Sequence, residues 1–190
     1  MNSETDGAKS LRFFLRDNTA GSHRQLDARF SLLDLSLLED YRSFLTASAA
    51  ALIPLEHLLE ASGVADIFPD WPQRSRRASL IKDCENMSAE ISTFDLMRAH
   101  FSPDEMAGVV YVLEGSRLGA KLLLKQVQHS AAQNYLSHGV SEKLWPSFVD
   151  QLEALHVDRD EVARGAKFAF SVFEKAAILH VPEMIMSAAE

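Results

Sequence analysis

The chain has 190 residues, of which 47% are hydrophobic, and a formal net charge of −8. That size and apolar content suit one compact domain with a real core, and the acidic balance excludes a global basic field that would attract nucleic acid or anionic lipid. Cys84 is the only cysteine, which excludes an intramolecular disulfide and fits a reducing cytoplasm.

The first residues, Met1 to Lys9, lack the basic-then-apolar order of a signal peptide. No uninterrupted apolar run reaches the roughly 18 residues of a membrane span, and the longest stretch, Ala47 to Leu59, contains Pro54, Glu56 and His57. The expectation is a soluble, cytoplasmic protein with neither nucleic acid nor membrane as partner. Residues 1–8 read as a flexible N-terminal tail, 9–182 as one domain and 183–190 as a C-terminal tail.

From Ser10, the positions Leu11, Phe14, Leu15, Thr19, His23, Leu26 and Phe30 recur at helical spacing. Ser36 and Glu39 have the spacing of a capping box and announce a second helix through Tyr41, Phe44, Leu45, Ser48, Leu52 and Leu55. Pro54 should kink or interrupt it. Phe68 to Pro72 reads as a loop, and Arg74 to Glu90 as a third helix with Ala78, Ile81, Cys84, Met87 and Ile91 as its apolar stripe. Ser102-Pro-Asp-Glu is a strong start signal for a helix running to about Gln128. A loop or short turn ends at Gly139, a helix runs from Ser141 to Leu155, and Asp158 caps a last one from Arg159 to about Leu179. Strand alternation is nearly absent, so the fold class is all-α, a single multi-helix domain.

The helix opened by Ser102 carries Gly115 and Gly119, each costing roughly 1 kcal/mol relative to alanine in a helix interior. At i, i+4 they leave a bare strip on one face, against which either a neighbouring helix or a flat ligand must lie. Among the seven histidines no metal or phosphate motif stands out. Glu153 and His156 form one Glu-x-x-His pair, but a helical di-iron site requires two. His23 shares a stripe with Arg16 and Thr19. An imidazole there is either a satisfied core histidine or an axial ligand to an iron porphyrin, and its spacing alone favours the core role.

Leu11-x-x-x-x-Arg16-x-x-Thr19-x-x-x-His23-x-x-x-Asp27, then Leu37-x-x-x-Tyr41-x-x-Phe44-Leu45, then Gly108-x-x-Tyr111-Val-Leu-Glu-Gly-Ser-Arg-Leu-Gly119, and Arg164 to Phe173 near the end resemble, in order and separation, the heme oxygenase family in its bacterial form. The resemblance covers most of the chain and implies a heme oxygenase-like bundle with heme between a proximal and a distal helix. It implies an O2- and electron-dependent enzyme that cleaves heme to biliverdin, carbon monoxide and ferrous iron. Electrons would come from a ferredoxin or an NADPH-dependent reductase as redox partner, and biliverdin would serve a bilin photoreceptor or iron acquisition.

In the same resemblance His23 is the iron ligand, with Asp27 steadying it. Gly115, Ser116 and Gly119 are the catalytic stretch, where helix backbone comes close to bound oxygen. Arg16, Thr19, Tyr111, Arg117, Ala120 and Lys143 join His23 in holding heme, with Arg16 the foremost partner for a propionate and Arg117, Lys121 or Lys143 supplying a second. Two positions depart from the family pattern. Ala120 stands where many members have a further glycine, and Ser116 where the mammalian type has an aspartate. These departures sustain an alternative, a non-catalytic heme or bilin carrier or sensor on the same fold. A third reading, a purely structural helical protein, leaves the joint match of Arg16, Thr19 and His23 unexplained.

Overall fold

The computed structural model describes residues 10–181, so the expected tails 1–8 and 183–190 lie outside the described residues. Five long or medium helices build the frame: α1 (Leu11–Phe30), α2 (Leu38–Ala61), α5 (Arg77–Met87), α6 (Pro103–Leu124) and α9 (Arg159–His180). Two short helices, α3 (Val64–Ile67) and α4 (Trp71–Arg74), connect α2 to α5. A 3-10 turn (Ser130–Ala132), α7 (Asn134–Ser137) and α8 (Leu144–Ala154) lie between α6 and α9. No strand is present among the described residues. The fold is that of an all-helical bundle.

Helix α9 is the hub, packing against α1, α2 and α6. It runs parallel to α1: the Arg159 guanidinium donates to the Ser10 carbonyl at one end and the Arg29 guanidinium to the Ile178 carbonyl at the other, both at 3.3 Å. The crossing of α6 and α9 is close because two glycines permit it. A methyl group on Gly108 would overlap the Val162 carbonyl oxygen, and one on Gly165 would overlap the Glu105 carbonyl oxygen. The tight helix contact therefore lies at Gly108 and Gly165, seven residues before the strip that the sequence singles out.

Helix α2 is long and apolar enough to cross a membrane by length and composition, but 72% of that stretch is buried inside the fold. It is the core helix, with Tyr41, Leu45, Leu52, Leu55 and Leu59 fully enclosed. Pro54 sits within it without ending it, because packed turns on both sides outweigh the one missing N–H donor. The expected capping box at Ser36 does not form. Asp34 accepts from both the Ser36 amide and its hydroxyl, and the helix begins later, at Leu38. At Ser102 the capping box is complete, with the Glu105 carboxylate and the Ser102 hydroxyl each accepting the other's amide.

Three other helix starts are capped from a distance. The Glu153 carboxylate of α8 accepts the Leu11 and Arg12 amides at 3.0 and 2.8 Å, which gives the Glu-x-x-His glutamate a place in the fold. Glu56 of α2 accepts the Arg76 and Arg77 amides at 2.9 and 3.1 Å and so delays the start of α5 to Arg77, where the sequence suggests Arg74. Buried Asp83 of α5 accepts the Asn134 and Tyr135 amides at 3.1 and 2.7 Å. Each carboxylate satisfies otherwise orphaned N–H groups and meets the positive end of a helix dipole.

Candidate functional site

The first apolar-faced helix presents Thr19 inward and His23 outward. Thr19 is buried, and its hydroxyl donates to the Leu15 carbonyl at 2.8 Å. The phenol of Tyr111, half-buried on α6, reaches Thr19. Burial raises the Tyr111 pKa, while Arg12, Arg16 and this hydrogen bond pull it down. Tyr111 and Thr19 thus join the two helices that the sequence singles out. In sequence, His23 follows Thr19 by four residues on α1, and Gly115 follows Tyr111 by four on α6.

The His23 side chain is 63% exposed, so it is not a satisfied core histidine. Its Nδ1 lies 2.7 Å from the Asp27 carboxylate, and its ring meets the edge of Phe170 with centroids 6.1 Å apart. A carboxylate on Nδ1 orients the ring and leaves Nε2 as the outward nitrogen, the arrangement found behind histidine metal ligands. Arg16, also exposed, pairs with Asp17 at 3.2 Å and lies over Phe13. It is held by no long-range ion pair among the described residues.

On α6 the two glycines differ. Among the described residues nothing lies within 4 Å of a Cβ built on Gly119, whereas one on Gly115 would touch the Trp145 ring at 3.8 Å. Leu118 and Leu122, on the same face, are 53% and 64% exposed. An apolar, side-chain-free strip left open in this way fits a flat, largely apolar ligand. Among the described residues no neighbouring helix fills it at Gly119.

The opposite face of α6 is closed by charge. Glu114, fully buried, receives Arg74 Nη1 at 2.9 Å and Arg117 Nε at 2.9 Å. Arg74 also reaches Asp70 at 2.6 Å, and that hydrogen bond holds the Asp70 carboxyl below its ordinary pKa. Arg117 further donates to the Arg74 carbonyl and, at 3.1 Å, contacts Nδ1 of His138. Arg117 is therefore largely buried and tied into this charge cluster. Ala120 is 4% exposed and turns into the core, so it does not shorten the open strip. Lys143 is exposed at the N-cap position of α8, and with Arg117, Lys121 and His138 it lines a cleft of about 270 Å³ beside the C-terminal half of α6.

The Ser116 hydroxyl donates to the Leu113 carbonyl at 2.7 Å and accepts from buried Arg76 Nη2 at 2.6 Å. Arg76 lies 4.9 Å over the Tyr135 ring. Both functions of the hydroxyl are thus used within the protein.

No protein-family model matches the chain. It is 26% identical over 147 residues to heme oxygenase PigA of Pseudomonas aeruginosa, across 71% of this chain and 74% of that protein. Its fold matches the heme oxygenase of Neisseria meningitidis, solved in NO- and CO-bound forms, with a TM-score of 0.78 and 23% identity over 94% of this chain and 100% of that one. The chain is similar in sequence to a bacterial heme oxygenase and has the all-helical heme oxygenase-like fold.

On this heme oxygenase-like fold, tertiary structure adds residues to the candidate site that sequence reasoning did not select. Arg12 lies near Tyr111 and over the Trp145 ring at 5.8 Å, and Trp145 itself covers Gly115. Arg74, Arg76 and Glu114 lock the glycine helix from behind. Arg12 falls four residues before Arg16, a helical repeat that could have flagged it. Trp145 had no such local signal, because its partner is 30 positions away in sequence.

Proposed function

We propose that the protein is a heme oxygenase that binds heme between α1 and the open strip of α6 and cleaves it to biliverdin, carbon monoxide and ferrous iron. Heme is the substrate, and when bound it supplies both the iron at which oxygen is reduced and the macrocycle that is opened. A ferredoxin or an NADPH-dependent reductase supplies the electrons. The lone cysteine, Cys84, is buried, and burial pushes its thiol up to about 11, in keeping with an unreactive thiol in a cytoplasmic setting.

The observation that carries this reading is the state of His23. Its imidazole is exposed, its Nδ1 is held by Asp27, and it follows by one turn the contact between α1 and the glycine-bearing helix. His23 would ligate iron through Nε2, with Asp27 fixing the tautomer and ring plane. Thr19 and Tyr111 would hold the two helices on either side of the ligand together. Gly119, and Gly115 behind Trp145, keep side chains off the distal face so that backbone sets the approach to the ring. Arg16 and Lys143, both exposed cations, would meet the carboxylates of the ligand.

Ser116 supports a second reading, a heme or bilin carrier without turnover. Its hydroxyl spends its one donor on Leu113 and accepts from Arg76, so it keeps a single neutral acceptor site for water where an aspartate would present an anionic carboxylate.

Hemin titration separates the readings. Purified protein should develop a bound-heme Soret band, and ascorbate or a ferredoxin system in air should convert it to a bilin absorbance. A Soret band that persists under reductant and air supports the carrier. No Soret change at micromolar hemin rejects both.

A further inference from the structure

The two glycines of the distal strip are not equivalent, and a residue from another helix makes them differ. Trp145, at the start of α8, places its ring against Gly115, where an added Cβ would find Cζ3 at 3.8 Å and Cη2 at 4.0 Å. The ring is held on three sides: Tyr111 at 6.0 Å between centroids, Phe148 at 5.9 Å, and the Arg12 guanidinium over it at 5.8 Å. One turn further along α6, nothing among the described residues lies within 4 Å of the corresponding point on Gly119. The strip is closed at one end by an aromatic wall and open at the other.

We propose that Trp145 is a specificity-determining residue, the wall that seats the porphyrin in one in-plane orientation. This rests on the reading of heme as the ligand of the strip. A flat ring sliding along α6 toward its N-terminal half meets the indole before it can cover Gly115, so its edge stops over Gly119. A porphyrin is close to square, and apolar contact alone discriminates weakly between its rotated placements. A rigid wall on one edge removes those that would overlap it. Which meso carbon faces the Gly119 backbone is then set by Trp145 together with the cations that take the propionates. The indole is well suited to this because it is large, has few rotamers and is pinned by its neighbours.

The test uses the heme-loaded protein in its ferric, cyanide-ligated form, whose heme-methyl proton resonances report seating without turnover. Wild type, Trp145→Ala, Trp145→Phe and Gly115→Ala are compared after each has been shown to bind hemin by its Soret band. Trp145→Ala should displace the methyl resonances or add a second set, and under turnover it should change the biliverdin isomer ratio. Trp145→Phe should restore the wild-type pattern in large part. Gly115→Ala, whose added methyl fits at ordinary contact distance against the indole, should move the pattern less than Trp145→Ala does. A wild-type pattern in Trp145→Ala overturns the proposal, as does a Gly115→Ala shift as large as that expected of Trp145→Ala. If the alanine variant at Trp145 does not fold, Trp145→Leu, which keeps apolar volume without the flat wall, carries the test: it should shift the pattern, and a wild-type pattern overturns the proposal. Absence of hemin binding by wild type rejects the heme reading and this proposal with it. Normal binding with an unmoved pattern in Trp145→Ala rejects only the role of Trp145.

Discussion

Gly108 of α6 lies so close to the Val162 carbonyl of α9 that there is no room between them for a methyl group. The Ala166 amide nitrogen, one turn on in the same helix, is also only 2.7 Å from where that methyl would sit, so the obstacle is rigid helix backbone. Gly108→Ala should therefore destabilise the protein at or beyond the upper end of the usual overpacking range of about 1–3 kcal/mol, despite alanine's better helix propensity. Gly119→Ala, with open space around it, should leave stability unchanged or raise it by up to about 1 kcal/mol. Urea unfolding of the two variants checks the contrast; equal effects would contradict the packing described.

His23 and Asp27 form the one carboxylate–imidazole pair of the proposed site. His23→Ala should lose the nitrogen ligand and show an altered Soret position and spin state with bound hemin. Asp27→Ala should keep the ligand but weaken binding by about tenfold, the low end of what loss of such a supporting partner costs. A His23→Ala spectrum identical to wild type would remove His23 as the ligand.

Glu114 neutralises two arginines in a place with almost no access to water. Glu114→Gln would leave Arg74 and Arg117 facing a neutral amide, and uncompensated buried charge of this kind costs about 3–5 kcal/mol. Chemical denaturation should show that loss. A change within error would mean that Asp70 alone sustains Arg74 and that Arg117 is satisfied by carbonyls.

His138 contacts the Arg117 guanidinium at 3.1 Å through Nδ1, which must accept, so the ring is held neutral. Its pKa is lowered from the ordinary 6.5 by burial first and then by Arg117 and Arg76, with Glu142 and Glu114 opposing. Because the folded-state value lies below the unfolded one, the stabilising preference for the neutral ring is complete above pH 6.5. It declines as pH falls below that value and levels off once the folded-state pKa is passed. Thermal melts should show Tm falling with acidification through this window. His138→Asn, which keeps an acceptor near Arg117 without titrating, should show a smaller fall, and an equal fall would assign the effect elsewhere.

Much of the fold could be read locally. Helical spacing located α1, α2, α6 and α9, and the caps at Ser102 and Asp158 are formed by the residues that the sequence points to. Local rules failed where a remote carboxylate was the cap or where a nearer side chain competed for the capping residue. The start of α5 depends on Glu56, and Ser36 is claimed by Asp34 instead of capping α2. The capping rule describes neighbours within one turn and is silent about a side chain arriving from another helix.

The sequence by itself determined the class of the fold, the family resemblance and the stripe that carries Thr19, His23 and Asp27, because periodicity and motif spacing are properties of the chain. It posed the question of what covers Gly115 and Gly119 without being able to answer it. Only the tertiary structure decided that the close helix crossing lies at Gly108 and Gly165, that Arg117 and Ala120 turn inward, and that Trp145 closes half of the strip. Those outcomes depend on which groups from distant segments compete for the same space and the same charge, and that competition exists only once the helices are packed.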